Sequence, residues 1–292
     1  MLNLERLRVL HAIWTTGSVA GAARTLHVTT SAISQQIARL EREVGQLLVE
    51  RQGRGVRLTG AGEVLAREAG DLLNHVERVE TRLDRHRGAV TGPMTVAAFA
   101  TAARGLLPGV LRSLRSRYPD LTVSLSEQEP HESIPALVRG DVDLAVVQDW
   151  AEDVLAVPAT LVRLPLLDDV FDLAVPDDHP LAARERVAVC ELAGEEWITW
   201  SQGQICHDWL VRTLAGVRVA HTASEHSTQL ALVAAGLGVA VIPRLGRESG
   251  PGGVRFVAID PPPTRRVFAL WRESASARPA VSAVVDRLRE CG

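Results

Sequence analysis

Ser31, Ser34, Gln35 and Arg39 fall in one short stretch whose spacing gives them a common side. Around them Ile33, Ile37, Leu40 and Val44 recur at helical spacing and form an apolar stripe. At about 100° per residue, Ser31, Gln35, Ala38 and Arg42 then point the opposite way, with Ser34 and Arg39 flanking them. Gln and Arg can hydrogen-bond base edges, and small polar neighbours let a helix enter a major groove. A second amphipathic stripe precedes it, made by Val19, Ala22, Ala23 and Leu26. His27-Val28-Thr29 between the two leaves room only for a tight corner. Ser18 and Thr30, at the helix N-termini, are placed to hold phosphates. Leu47–Arg51 and Val56–Leu58 flank Gln52-Gly53-Arg54-Gly55, which predicts a short hairpin with Arg54 at its tip between two glycines. An arginine there suits a narrow minor groove or a phosphate. These elements together predict a winged helix-turn-helix.

The other reactive side chains point nowhere as clearly. Cys206, His207, His221 and His226 are near one another in sequence, which raises an enzyme or a metal site, but no spacing among them matches a zinc pattern. Three cysteines (Cys190, Cys206, Cys291) make no disulfide framework. No catalysis, metal or cofactor is expected.

Charge is unevenly placed. The chain has 292 residues, no lysine and a net charge of −3. Residues 1–60 hold eight arginines against four glutamates, whereas residues 91–292 hold 19 arginines against 25 acids. A basic head on an acidic body fits a small DNA-binding module carried by a domain that does not bind DNA. The opening Met1–Arg8 has early charges and no apolar core, which predicts no signal peptide. The longest apolar run, Leu230–Pro243, falls short of the roughly 18 residues that span a bilayer. A cytoplasmic protein with no membrane contact is expected.

The head needs a carrier. Beyond Thr59, the residues Leu65, Ala69, Leu72, Val76, Val79 and Leu83 repeat as a heptad seam with charged residues on the other faces. From Thr59 to Gly88 the helix would run about 30 residues, or roughly 45 Å. A seam so narrow must be buried, and a second copy of the chain is the expected partner, with packing on the chain's own body domain as the alternative. That arrangement presents two reading helices to an imperfect palindrome in double-stranded DNA. After Gly88–Pro93, strand and helix signals alternate: Met94–Phe99, Leu106–Tyr118, Leu121–Ser126, Glu132–Arg139, Val142–Val147, Phe171–Val175, Thr264–Trp271 and Arg278–Arg289. Alternation of this kind predicts a parallel or mixed α/β sheet.

The pattern Leu7, Gly17-Ser18, Ala22-Ala23, Leu26–Thr29, Ser31–Ile37, Leu40-Glu41, Gly45, Leu48, Arg51 and Leu58–Gly62 closely resembles the LysR-type transcriptional regulators. The detailed match covers about the first fifth of the chain. Gly21, inside a helix, and Val49, where Phe is frequent, depart from it. The resemblance implies an α/β fold class: an N-terminal winged helix-turn-helix over 1–58, a dimerisation linker helix over 59–89, and an effector-binding domain over 90–292. It implies a homodimer or homotetramer. The effector domain would resemble type 2 periplasmic binding proteins, with lobe I at about 90–165 and 267–292 and lobe II at about 166–266. Crossovers are expected near Leu166–Asp169 and Pro263–Arg266.

A small-molecule effector would bind between the lobes, where strand ends and helix N-termini meet. Thr101, Gln148, Thr199, Ser201 and His226 are the expected contacts. Phe99 stands where relatives often have a small polar residue, which implies a more apolar effector or a blocked cleft. Cys206 lies near the place where peroxide-sensing members carry a reactive cysteine, so a redox-responsive regulator is an alternative. The body alone would also read as a solute-binding protein, against which the basic head and missing signal peptide stand.

Overall fold

A computed structural model describes residues 2–26, 28–52, 55–151, 153–214, 216–247 and 252–291. The head contains α1 (Leu4–Thr16), α2 (Val19–Thr25) and α3 (Thr30–Val44), then the hairpin β1 (Val49–Gln52) and β2 (Gly55–Leu58). Each helix starts at a residue suited to capping. Asn3 accepts from the Glu5 and Arg6 amides, Ser18 from Gly21 and Thr29 from Ala32. α1 and α3 end at Gly17 and Gly45, both left-handed. The buried faces are those the spacing predicts: Ala22 and Ala23 on α2, Ile33, Ile37 and Leu40 on α3. Gly21 also finds its reason, since a Cβ there would meet the Thr16 and Ser18 side chains at 2.8–2.9 Å. The arginine at the predicted hairpin tip, Arg54, lies outside the described residues.

α4 (Gly60–Arg87) is 28 residues long and packs its first turns on α1. Gly62 is obligatory there, because a Cβ would stand 2.0 Å from the Leu48 carbonyl oxygen. The predicted seam divides. Ala69, with Ala66, is buried in the head core and Leu65 packs against it, whereas Leu72, Val79 and Leu83 are exposed.

The body begins with β3 (Gly92–Ala98), α5 (Ala100–Gly105), α6 (Leu107–Arg117), β4 (Leu121–Glu127), α7 (Pro130–Arg139) and β5 (Leu144–Trp150). β6 (Leu161–Pro176) is a single strand of 16 residues. Next come β7 (Arg186–Ala188), β8 (Glu196–Thr199), α8 (Ile205–Thr213), β9 (Arg218–Thr222), α9 (His226–Ala234), β10 (Ala240–Pro243) and β11 (Val254–Asp260). The chain returns through β12 (Thr264–Arg272) to α10 (Pro279–Arg289). The main sheet runs β4-β3-β5-β12-β6-β11-β7, with β10 also on β6, and β8 and β9 pair separately.

Two lobes share this sheet through β6. Its first part pairs with β12, up to Thr264 opposite Val170; its last part pairs with β10 and β11, from Phe171. The changeover therefore lies at Val170–Phe171, just past the expected Leu166–Asp169. Thr264–Arg266 already belong to the lobe I pairing. Separate cores fill the lobes, one on Val96, Leu144 and Ala269, the other on Phe171, Trp197 and Val257. Among the described residues no helix is long and apolar enough to cross a membrane.

Candidate functional site

The head presents one polar face. Thr30, Ser31, Ser34, Gln35 and Arg39 are all exposed, together with Ala38 and Arg42. Ser34 donates its hydroxyl to the Thr30 carbonyl at 2.9 Å, which leaves its oxygen free to accept. Arg42 bends back onto the Ala38 carbonyl at 3.2 Å. Gln35, Arg39 and the guanidinium end of Arg42 carry the long outward donors of α3. Ser18 is half-buried and caps α2 through its oxygen. Thr30 is the first residue of α3, one beyond the capping Thr29.

A second site lies between the lobes. A cavity of about 260 Å³ is lined from lobe I by Phe99, Thr101, Glu129, His131, Gln148 and Leu155, and from lobe II by Trp200, Gln204, Cys206, Ser224 and His226. Arg265 forms its floor. This arginine is 2% exposed and is placed by β12 directly opposite Asp169 on β6. Its Nε and Nη2 donate to one Asp169 oxygen at 2.9 and 2.7 Å. Nη2 also donates to Thr101 Oγ1 at 2.5 Å, and Nη1 donates to Gln148 Oε1. The guanidinium lies 4.8 Å from the Phe99 ring and 5.0 Å from Phe171. Asp169 spends its other oxygen on the Leu245 amide at 2.8 Å. The buried cation thus has an adjacent anion and further acceptors, as a charge removed from water requires.

The site's titratable groups follow from this burial. Burial pushes the Cys206 thiol up to about 12; Arg265 opposes that shift, while Glu129 and Asp169 add to it. Burial also pulls His226 down to about 3, helped by Arg265 and Arg104, so its imidazole is neutral. Its ring meets Trp200 edge-on at 5.1 Å. Glu129 is raised by burial, against the pull of Arg265.

Thr101, Gln148 and His226 are thus brought to one cavity. Thr199 and Ser201 are not. Trp200 takes the cavity side, and its neighbours in the extended chain turn away: Thr199 is 1% exposed with no partner for its hydroxyl among the described residues, and Ser201 faces solvent. Phe99 does not close the cleft. It caps α5 without a side-chain hydrogen bond and serves as a shelf for Arg265. Arg265 and Asp169 were missed from the sequence, although charged residues inside two otherwise apolar strands were their signal.

Two family patterns cover nearly the whole chain: the bacterial regulatory helix-turn-helix of the lysR family at residues 4–63, and the LysR substrate binding domain at residues 87–291. The chain belongs to the LysR family. It is a helix-turn-helix transcriptional regulator, as its relatives are. One relative is the hydrogen peroxide-inducible genes activator of Pectobacterium carotovorum, 29% identical over 99% of this chain and 96% of its own. A cysteine-to-aspartate variant of full-length OxyR from Pseudomonas aeruginosa shares the fold, with a TM-score of 0.74, 24% identity and 100% and 96% coverage. A cysteine-to-serine variant of OxyR from Corynebacterium glutamicum, with hydrogen peroxide bound, matches with a TM-score of 0.61, 27% identity and 99% and 94% coverage. Among the described residues of this LysR-family chain, no group of three or more His, Cys, Asp or Glu is placed to hold a metal ion.

Proposed function

We propose that a small molecule in the inter-lobe cavity controls how this regulator engages its operator. The carrying observation is the cavity itself, which takes its walls from both lobes and its floor from a buried arginine held by Asp169, Gln148 and Thr101. An occupant that draws the lobes together would reset the body that carries the DNA head. Ser31, Ser34, Gln35 and Arg39 read base edges, Ser18 and Thr30 lie near phosphates, and Arg54 serves the wing. Leu72, Val79 and Leu83 offer an exposed apolar edge on α4 for a second copy, so the operator is an imperfect palindrome. The working units are 1–58, 59–89 and 90–292, in a cytoplasmic protein. The test selects operators from a random duplex pool and then screens metabolites by tryptophan fluorescence, with Trp200 in the cavity wall as reporter. A selected palindrome plus a ligand that quenches Trp200 and shifts operator affinity supports the reading. Selection of no sequence overturns it.

A second reading follows from Cys206, which lines the cavity in a chain whose relatives include hydrogen peroxide-inducible activators. The Cys206 sulfur would attack peroxide oxygen. An S–O bond forms, the O–O bond breaks, and the cysteine becomes sulfenic acid as peroxide is reduced to water. Burial opposes the thiolate, so reaction would be slow unless the lobes open. A peroxide-dependent change in operator binding that Cys206→Ser abolishes supports it. Identical binding before and after peroxide removes it.

A further inference from the structure

β12 carries a buried arginine at each end. Arg265, near its start, floors the cavity, and Arg272, its last residue, grips the linker helix. The two stand seven residues apart, roughly 23 Å at about 3.3 Å per residue. Between them β12 is paired on both sides, to β5 and β6, so it moves as part of the sheet centre.

The grip on α4 is dense. Arg272 Nε donates to Glu77 Oε1 and Oε2 at 2.9 and 3.0 Å, and Nη2 donates to Oε1 at 2.5 Å. Ser274 adds a hydroxyl to Glu77 Oε2 at 2.6 Å. Nη1 is held by the Leu137 and Val142 carbonyls, each at 2.6 Å, which fixes the guanidinium to lobe I. Burial raises the Glu77 carboxyl, but Arg272, Ser274 and Arg278 outweigh it and keep the group ionised. One turn on, Thr81 is 3% exposed on the same side of α4. Beside this clamp the covalent joint is short and bounded by glycines. Only Gly88–Thr91 separate α4 from β3, and Gly88 and Gly92 both adopt positive φ.

We propose that Arg272 and Glu77 are positioning residues that fix the linker helix to lobe I, so that a change at the Arg265 end of β12 reaches α4 through this clamp. This rests on the reading above, in which the body governs the DNA head. The clamp makes α4 and lobe I one lever; the cavity end of the same strand supplies the displacement.

The experiment is a double-mutant cycle on the full chain. Thr101→Val removes one acceptor of Arg265, and Glu77→Gln weakens the clamp while keeping its shape. Amide exchange of residues 73–83 is read without DNA, with β4 as an internal control. Thr101→Val should change that exchange by at least about threefold in the wild-type background and leave it unchanged in Glu77→Gln. Equal effects in both backgrounds overturn the relay, and so does no effect in the wild type. Should Glu77→Gln fail to fold, Ser274→Ala is the milder clamp variant and must reduce the effect of Thr101→Val. Operator affinity should show the same non-additivity. A protein that selects no operator defeats the regulator reading, while the exchange cycle still decides the relay.

Discussion

Arg265 and Asp169 face each other across paired strands, each 2–3% exposed, and a single Asp169 oxygen receives two guanidinium N–H groups at 2.7–2.9 Å. The pair sits where the chain passes between lobes, so it holds the crossover together as well as flooring the cavity. Asp169→Asn would leave a buried guanidinium without its counter-charge. Loss of one partner of such a pair costs about 3–5 kcal/mol. Urea unfolding should show a lower midpoint, and an unchanged midpoint would mean that water reaches the site.

Gln35→Ala should weaken operator binding by about 1–3 kcal/mol and relax preference at one base pair per half-site. Competition between operator and mismatched duplexes reads both effects. Binding equal to wild type on every duplex would mean that another face of α3 enters the groove.

Leu72→Asp places a charge on the exposed part of the α4 seam. Leu72 is 44% exposed and outside the head core, so the fold should survive. Sedimentation should show dissociation into monomers, with loss of tight operator binding. A variant that stays dimeric at full affinity would move the interface elsewhere.

Asp172 carries an acid-sensitive cluster near the changeover. Arg244 donates to its two oxygens at 2.9 and 2.8 Å, and Arg247 donates at 2.7 Å. Burial raises the Asp172 carboxyl, but the two arginines outweigh it and hold it below its usual 3.8. A depressed carboxylate contributes stability that is full above the unfolded pKa and lost as pH falls through the folded one. Stability should therefore decline below about pH 4, and Asp172→Asn should flatten that acid limb. Parallel acid limbs in wild type and variant would assign the loss to other groups.

The head was legible because its determinants are local. Helical spacing in 18–45 fixes which residues of α2 and α3 are buried, and Ser18, Thr29, Gly17 and Gly45 mark the ends. The seam on α4 was half legible. Spacing identified an apolar line, but only packing on α1 shows that Ala69 belongs to the head core and that Leu72, Val79 and Leu83 stay open. At the cavity, Thr101, Gln148 and His226 could be found from strand ends and helix starts, whereas Thr199 and Ser201 could not be rejected. A side chain's direction at the end of a strand depends on what its neighbour packs against.

By itself the sequence determined the family, the helix pair α2 and α3 with its hairpin, and the outward face of α3, because each depends on residues within a few turns of one another. Tertiary structure alone decided the partners of the buried charges. Arg265 meets Asp169 across 96 positions, and Arg272 meets Glu77 across 195. No local period encodes such pairings. They exist because sheet register brings β12 against β6, and because α4 packs on the turn that follows β12, where each buried guanidinium must find a carboxylate.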